Sequence, residues 1–171
     1  MARGKHKDLP WLVISDLHVG CGMAIMPRAG FTCDNGVHVS PSPMQKKLSD
    51  RFWDGRMPWV QRETGGKFNV LGNGDLVDGV HHQAVTQWSH NMLDQRNACV
   101  EFLRPLRKMA NRFVVVRGTE SHVGQSGQHD EAIAQALNAE KASCGTFSHW
   151  EVYLRLGGQL VHVAHHIAGT T

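Results

Sequence analysis

A chain of 171 residues with 41% apolar and 19% charged side chains is long enough to bury a core and too apolar to stay disordered. Eighteen Lys and Arg against fifteen Asp and Glu leave a net charge of +3, too slight to argue for a nucleic-acid partner by itself. No run approaches the ~18 apolar residues of a membrane span, and the opening MARGKHKDLP is too polar for a secretory leader. The default expectation is a single domain over residues 1–171, cytoplasmic, with no membrane partner. Its four cysteines, Cys21, Cys33, Cys99 and Cys144, form no C-x-x-C pair. Free thiols are therefore expected, ahead of a small zinc site built from Cys21 and Cys33 with His18 and His38. Twelve histidines are the compositional oddity, because neutral imidazole is the commonest side-chain metal ligand near pH 7.

In chain order, the apolar run WLVIS (11–15) predicts a buried strand. Residues 20–43, rich in Gly, Pro, Ser and Asn, predict a long irregular loop of the kind that carries function. A helix is predicted over 44–61, with Leu48, Phe52 and Trp59 sharing a face, although Gly55 and Pro58 oppose it. Trp53, Trp59 and Trp88 are expected to pack a core. KFNVLGNGD (67–75) predicts a second strand. Over 88–110, Met92, Cys99, Leu103, Leu106 and Ala110 recur at helical spacing, with Pro105 expected to kink the helix. RFVVVRG (112–118) is a third buried strand, and 129–141 a short helix around Ile133 and Leu137. EVYLRL, GG and QLVHVAHH then predict a two-residue hairpin. Strands alternating with helices give an α/β layered domain with a terminal antiparallel hairpin.

In open α/β sheets, ligands gather beyond the carboxyl ends of the strands, and four polar blocks fall there. Asp16 and His18, two apart on an extended segment, would point the same way and grip one cation. In GNGDLVDG (72–79) the glycines allow a sharp turn and close approach, and one carboxylate such as Asp75 can bridge two cations. RGTESHVG (117–124) offers Thr119, Glu120 and His122. HVAHHI (162–167) ends the last strand, where alternation sets His162 on the face of Ala164 and His166 and opposite to His165. Any one block is weak evidence, since polar turns are common. Several at the ends of buried strands are not, because buried carboxylates need partners.

In this order the blocks resemble the calcineurin-like metallophosphoesterases, whose pattern is D-x-H, G-D-x-x-D, G-N-H-[DE], a strand-end His and G-H-x-H. The likeness is closer still to phage-like and prophage-like members. These share DLH-x-G, a Met-Pro loop, a helix opening with Gln, GD-x-x-DG-x-HH and GT-x-x-H-x-G, matched here by MAIMP, MQKKLSDRFW, GDLVDGVHH and GTESHVG. It spans residues 11–168. The resemblance implies a layered α-β-β-α sandwich and two divalent metal ions (Mn, Fe, Zn, Ni or Co). Asp16 and His18 would hold the first ion, Asp75 would bridge, and His165 would hold the second. Asp78 would orient the ligands, and His81, His82 and His166 would line the substrate pocket.

Two departures stand out. Thr119 replaces the metal-binding Asn, so that His122 or Glu120 would take over the metal or the proton-donor role, with His122 favoured. No G-H-x-H occurs, which implies that the family domain is C-terminally incomplete here. The expected activity is hydrolysis of a phosphoester, with phosphodiesters, nucleic acids or nucleotides favoured over monoesters. Two cations about 3.5–4 Å apart can clamp such a group and acidify a water between them. The alternatives are a catalytically impaired metal-binding module of the same fold, with a structural or regulatory role, and a metallohydrolase acting on another bond.

Overall fold

The computed structural model describes residues 8–81 and 84–166. In chain order its elements are β1 (Trp11–Ile14), β2 (Phe31–Thr32), β3 (His38–Val39), α1 (Pro43–Asp50), a π-helical turn (Arg51–Arg56), α2 (Met57–Thr64), β4 (Asn69–Asn73), α3 (Met92–Met109), β5 (Phe113–Val116), α4 (Glu120–Val123), α5 (Gln128–Ala136), β6 (Glu151–Leu156) and β7 (Gln159–Ala164). The three most apolar segments pair in parallel in the order β1-β4-β5, with Ile14 opposite Gly72 and Asn73 opposite Val116. The chain is thus mixed α/β around a parallel sheet.

Side-chain alternation sorts the sheet into two faces. Leu12, Ile14, Val70, Phe113 and Val115 join the helical core with Cys99, Leu103 and Leu106 of α3 and Ile133 of α5. Trp11, Leu71, Val114 and Val116 turn the other way and meet Val152, Leu154, Leu156 and Val163 of the hairpin. The hairpin therefore forms a third layer. Its two-residue turn places Gly157 and Gly158 at φ 58° and 86°, the left-handed pair a tight hairpin requires. The segment leading into it is tied to the end of β5 by an isolated parallel bridge, His149 N–H donating to Val115 O and Arg117 N–H to His149 O, each at 2.8 Å.

The structure corrects several expectations. β1 is not fully buried: among the described residues it lies at an edge of the three-stranded sheet, and Val13, 55% exposed, is not covered by the hairpin cluster that buries Leu71, Val114 and Val116. The 20–43 segment is not wholly irregular: Phe31–Thr32 and His38–Val39 pair as a small antiparallel ribbon. The helix predicted over 44–61 runs from Pro43 to Thr64, but through a π-helical turn that shifts its phase. The buried face is Gln45, Ser49, Met57 and Val60, whereas Leu48 and Trp59 lie exposed. Gln45 and Ser49 are buried because they satisfy the preceding loop. Gln45 forms a capping box with Ser42 and donates to Cys21 O at 3.0 Å, and Ser49 donates to Met26 O at 2.5 Å. The last helix stops at Ala136, since Asn138 takes φ 49° and turns the chain out. Trp53 and Trp88 pack against the core as expected.

On α3 the face begun by Met92 and continued by Cys99 is filled between them by Gln95, fully buried. Its Oε1 accepts from the Gly79 N–H at 2.9 Å, and its Nε2 donates to Ser89 O at 2.8 Å. This single amide ties the turn after β4 to the segment entering α3. Gln95→Leu strands both backbone groups and should cost about 2–4 kcal/mol, read as a lowered midpoint in urea unfolding with unchanged m-value.

Candidate metal centre

Because β1 and β4 run parallel, they end at the same edge of the sheet, and their backbones stay paired beyond it. The N–H groups of Asp16, His18 and Val19 donate to the carbonyls of Gly74, Asp75 and Leu76, each at 3.1 Å, and Asp78 N–H returns to Val19 O at 3.0 Å. To hold this pairing, Asp16, His18 and Asp75 adopt φ of 55°, 43° and 49°. Left-handed backbone costs about 1–2 kcal/mol for each residue carrying a Cβ, and such strain gathers where surrounding structure enforces it at functional sites. Asp16 and His18 therefore converge through left-handed turns and not, as the D-x-H spacing predicts, through strand alternation. Glycine is required at two neighbours. A Cβ on Gly74 would enter the His165 ring, and one on Gly118 would enter Asp75.

The side chains gather in three overlapping groups whose candidate ligand atoms lie within 4.8 Å of one another: Asp16, Asp75 and His165; His18, Asp75 and His122; Asp78, His81 and His122. Asp75 and Asp78 are buried, while Asp16 is 56% exposed in its side chain and opens to solvent. The His18 and His122 rings meet edge to face at 4.5 Å, and those of His81 and His122 at 4.3 Å. Burial, reinforced by the charge of His122, pushes the His18 pKa below its ordinary value despite three carboxylates pulling it up. His18 is thus held neutral, the form that ligates a cation.

Two imidazoles have their tautomer set by a backbone carbonyl, which can only accept. His165 Nδ1 lies 2.5 Å from Asn73 O, and His122 Nδ1 lies 2.5 Å from Asp78 O, so each Nδ1 carries the proton. With Nδ1 so engaged, His165 turns Nε2 toward Asp75 Oδ2 at 3.1 Å. Two lone pairs at that separation repel unless a proton or a cation lies between them. The donor set of two carboxylates and an imidazole at Asp16, Asp75 and His165 suits a divalent cation with mixed oxygen and nitrogen preference.

The remaining predicted residues fall differently. Thr119 grips Asp75: its N–H donates to Oδ1 at 2.7 Å, and its hydroxyl lies 3.2 Å and 3.1 Å from the two carboxylate oxygens. It orients the central carboxylate instead of facing outward as a ligand. Glu120 is exposed on the first turn of α4, and His166 is exposed just past β7. Neither joins a candidate group among the described residues. His82 lies outside the described residues. His162 stacks on Tyr153 and contacts Glu151 at 2.8 Å on the outer hairpin face, away from the centre. Cys33 is buried and Cys21 half-buried; both are free, and neither joins His18 or His38 in a candidate group among the described residues.

Asp130 was not signalled by the sequence, where an acid in a first helical turn reads as ordinary N-terminal charge. It is fully buried on α5 and accepts from the Gly118 N–H at 2.8 Å, fixing the glycine that lies against Asp75. Burial pushes its pKa up to about 7, with the charge of Asp75 acting in the same direction. Between its ordinary value of 3.8 and about 7, the native protein holds a proton that the unfolded chain has released. Stability should therefore fall as pH rises through that window and level off above it. Asp130→Asn keeps the acceptor and removes the titration. In chelator, the stability of the wild type relative to the variant, from urea midpoints between pH 4 and 8, should decline as pH rises, by on the order of 4 kcal/mol at most.

Neither a scan against protein-family models nor searches of curated proteins and solved structures found a match to this chain.

Proposed function

We propose that the chain is a metal-dependent phosphoesterase of the calcineurin-like type, hydrolysing phosphoester bonds at the Asp16–His18–Asp75–His165 centre. The observation that carries the reading is the convergence of Asp16, Asp75 and His165 on one small cluster of candidate ligand atoms, with His165 Nε2 3.1 Å from Asp75 Oδ2. The backbone strain at Asp16, His18 and Asp75 supports it, as does the hairpin lying on the sheet face away from the helices, the position of a second sheet in an α-β-β-α sandwich.

Two divalent ions bound here would supply Lewis acidity to a phosphoryl group and acidify a water. The chain's own residues do the rest. Asp16 and His18 hold one side of the centre, His165 the other, and Asp75 stands between them. Thr119 fixes the Asp75 carboxylate through two donors, and Asp130 fixes Gly118 beneath it. Asp78 holds the His122 ring through its carbonyl. The free Nε2 of His122, when protonated, can give its proton to the departing alkoxide.

A second reading is a module of the same fold with weakened catalysis and a structural or regulatory role. It is favoured by one observation: the Thr119 hydroxyl stands near both Asp75 oxygens and competes for lone pairs that a bridging carboxylate needs. Metal content separates the two. Protein purified without chelator should carry two transition-metal ions per molecule for the enzyme, and one or none for the module.

With added Mn, the wild type should hydrolyse bis-p-nitrophenyl phosphate, and Asp75→Asn and His165→Ala should abolish turnover and lower metal content while retaining native circular dichroism. His122→Ala should lower kcat by about 10²-fold or more with metal content retained. Unchanged turnover in Asp75→Asn would sink the mechanism.

A further inference from the structure

Immediately beside Asp16 the surface opens into a cavity of about 450 Å³, walled by Leu17, Ile25, Leu48 and Phe52 and rimmed by Arg51 and Arg56. That volume suits a small-molecule fragment. It combines an apolar floor, two guanidinium groups on one rim and a candidate metal ligand on its wall.

The guanidinium groups are there because of the π-helical turn. In an α-helix, residues five apart lie about 140° apart around the axis. The wider turn over Arg51–Arg56, in which Met57 N–H donates to Phe52 O, brings such positions close to one line. Arg51 and Arg56 therefore rise on the same side, with Phe52 beside them. Their local acids are already engaged. Arg28 takes Asp50 at 3.2 Å and Asp54 at 2.6 Å, and Lys46 also pairs with Asp50. Among the described residues, neither Arg51 nor Arg56 has a carboxylate partner. Two unpaired guanidinium groups next to an apolar floor fit an anion attached to a flat, weakly polar body.

We propose that this cavity is a subsite for a single-stranded oligonucleotide, one base resting on Phe52 and Ile25 and the neighbouring phosphate held between Arg51 and Arg56. The inference rests on the phosphoesterase reading of the adjoining centre and narrows its substrate class. With the scissile phosphate at the Asp16 side, the next nucleotide of the strand falls into the cavity. A simple phosphomonoester would leave both the apolar floor and the arginines unused.

The test is binding of a fluorescein-labelled ten-residue thymidine oligonucleotide, followed by anisotropy in chelator so that no turnover intervenes. Arg51→Gln/Arg56→Gln should weaken binding at least tenfold. It should also flatten the dependence of log Kd on log salt by about 0.7, the slope carried by one neutralised phosphate of a single strand. The control is Arg104→Gln/Lys108→Gln, which removes the same charge from a separate basic cluster on α3 and should change affinity less than twofold. Equal losses in the two pairs, or no loss in the first, overturn the subsite. Wild-type hydrolysis of bis-p-nitrophenyl phosphate is measured in parallel with Mn. If it is absent while the Arg51/Arg56 pair still governs oligonucleotide binding, the phosphoesterase reading falls and the strand-binding cavity stands.

Discussion

The parallel pairing of β1 with β4 is the constraint on which the candidate centre depends. Parallel neighbours end at the same edge, so the segments following Ile14 and Asn73 emerge side by side. Their backbones continue to exchange hydrogen bonds as far as Val19 and Asp78. That pairing cannot be kept with ordinary backbone angles, and three residues accept left-handed geometry to preserve it. The rigidity is useful because a ligand set is only as good as the positions of its atoms. Here the positions are set by main-chain bonds and a packed sheet, with side-chain freedom contributing little.

A second tier of contacts sets orientation and charge. Backbone carbonyls of Asp78 and Asn73 engage Nδ1 of His122 and of His165 and so fix how each ring is turned. Thr119 steers the Asp75 carboxylate, and Asp130 holds the glycine lying against it. Because Asp130 is itself a buried acid beside another acid, its protonation adjusts the field at Asp75. The centre therefore reaches from the strand ends into the helical layer through Gly118 and α5.

Much of the frame was legible because it is written in apolar periodicity. WLVI, NVL and FVVV are strands, and the two glycines between EVYLRL and QLVHVA demand a tight hairpin. The acids and imidazoles beyond the strand ends were legible from their place in the sequence, although the left-handed turns that join Asp16 to His18 were not. What escaped was polar burial. Gln45, Ser49, Gln95 and Asp130 read as surface residues, yet each is inside, since each satisfies backbone groups of a distant loop. The π-helical turn escaped as well. No residue type marks it, and its phase shift separates Trp59, exposed, from the face of Phe52 that a regular helix would have shared with it.

The hairpin that delivers His165 is attached to the rest of the molecule mainly through one patch, in which Leu154 alone among its side chains is fully covered. An element held so lightly opens more readily than the central sheet. Its imidazole nonetheless closes the cluster around Asp75. Any ion bound at the cluster would therefore be linked thermodynamically to closure of this flap. An ion seated between Asp75 and His165 would act as a latch, and the flap's opening equilibrium would set part of the cost of letting that ion go.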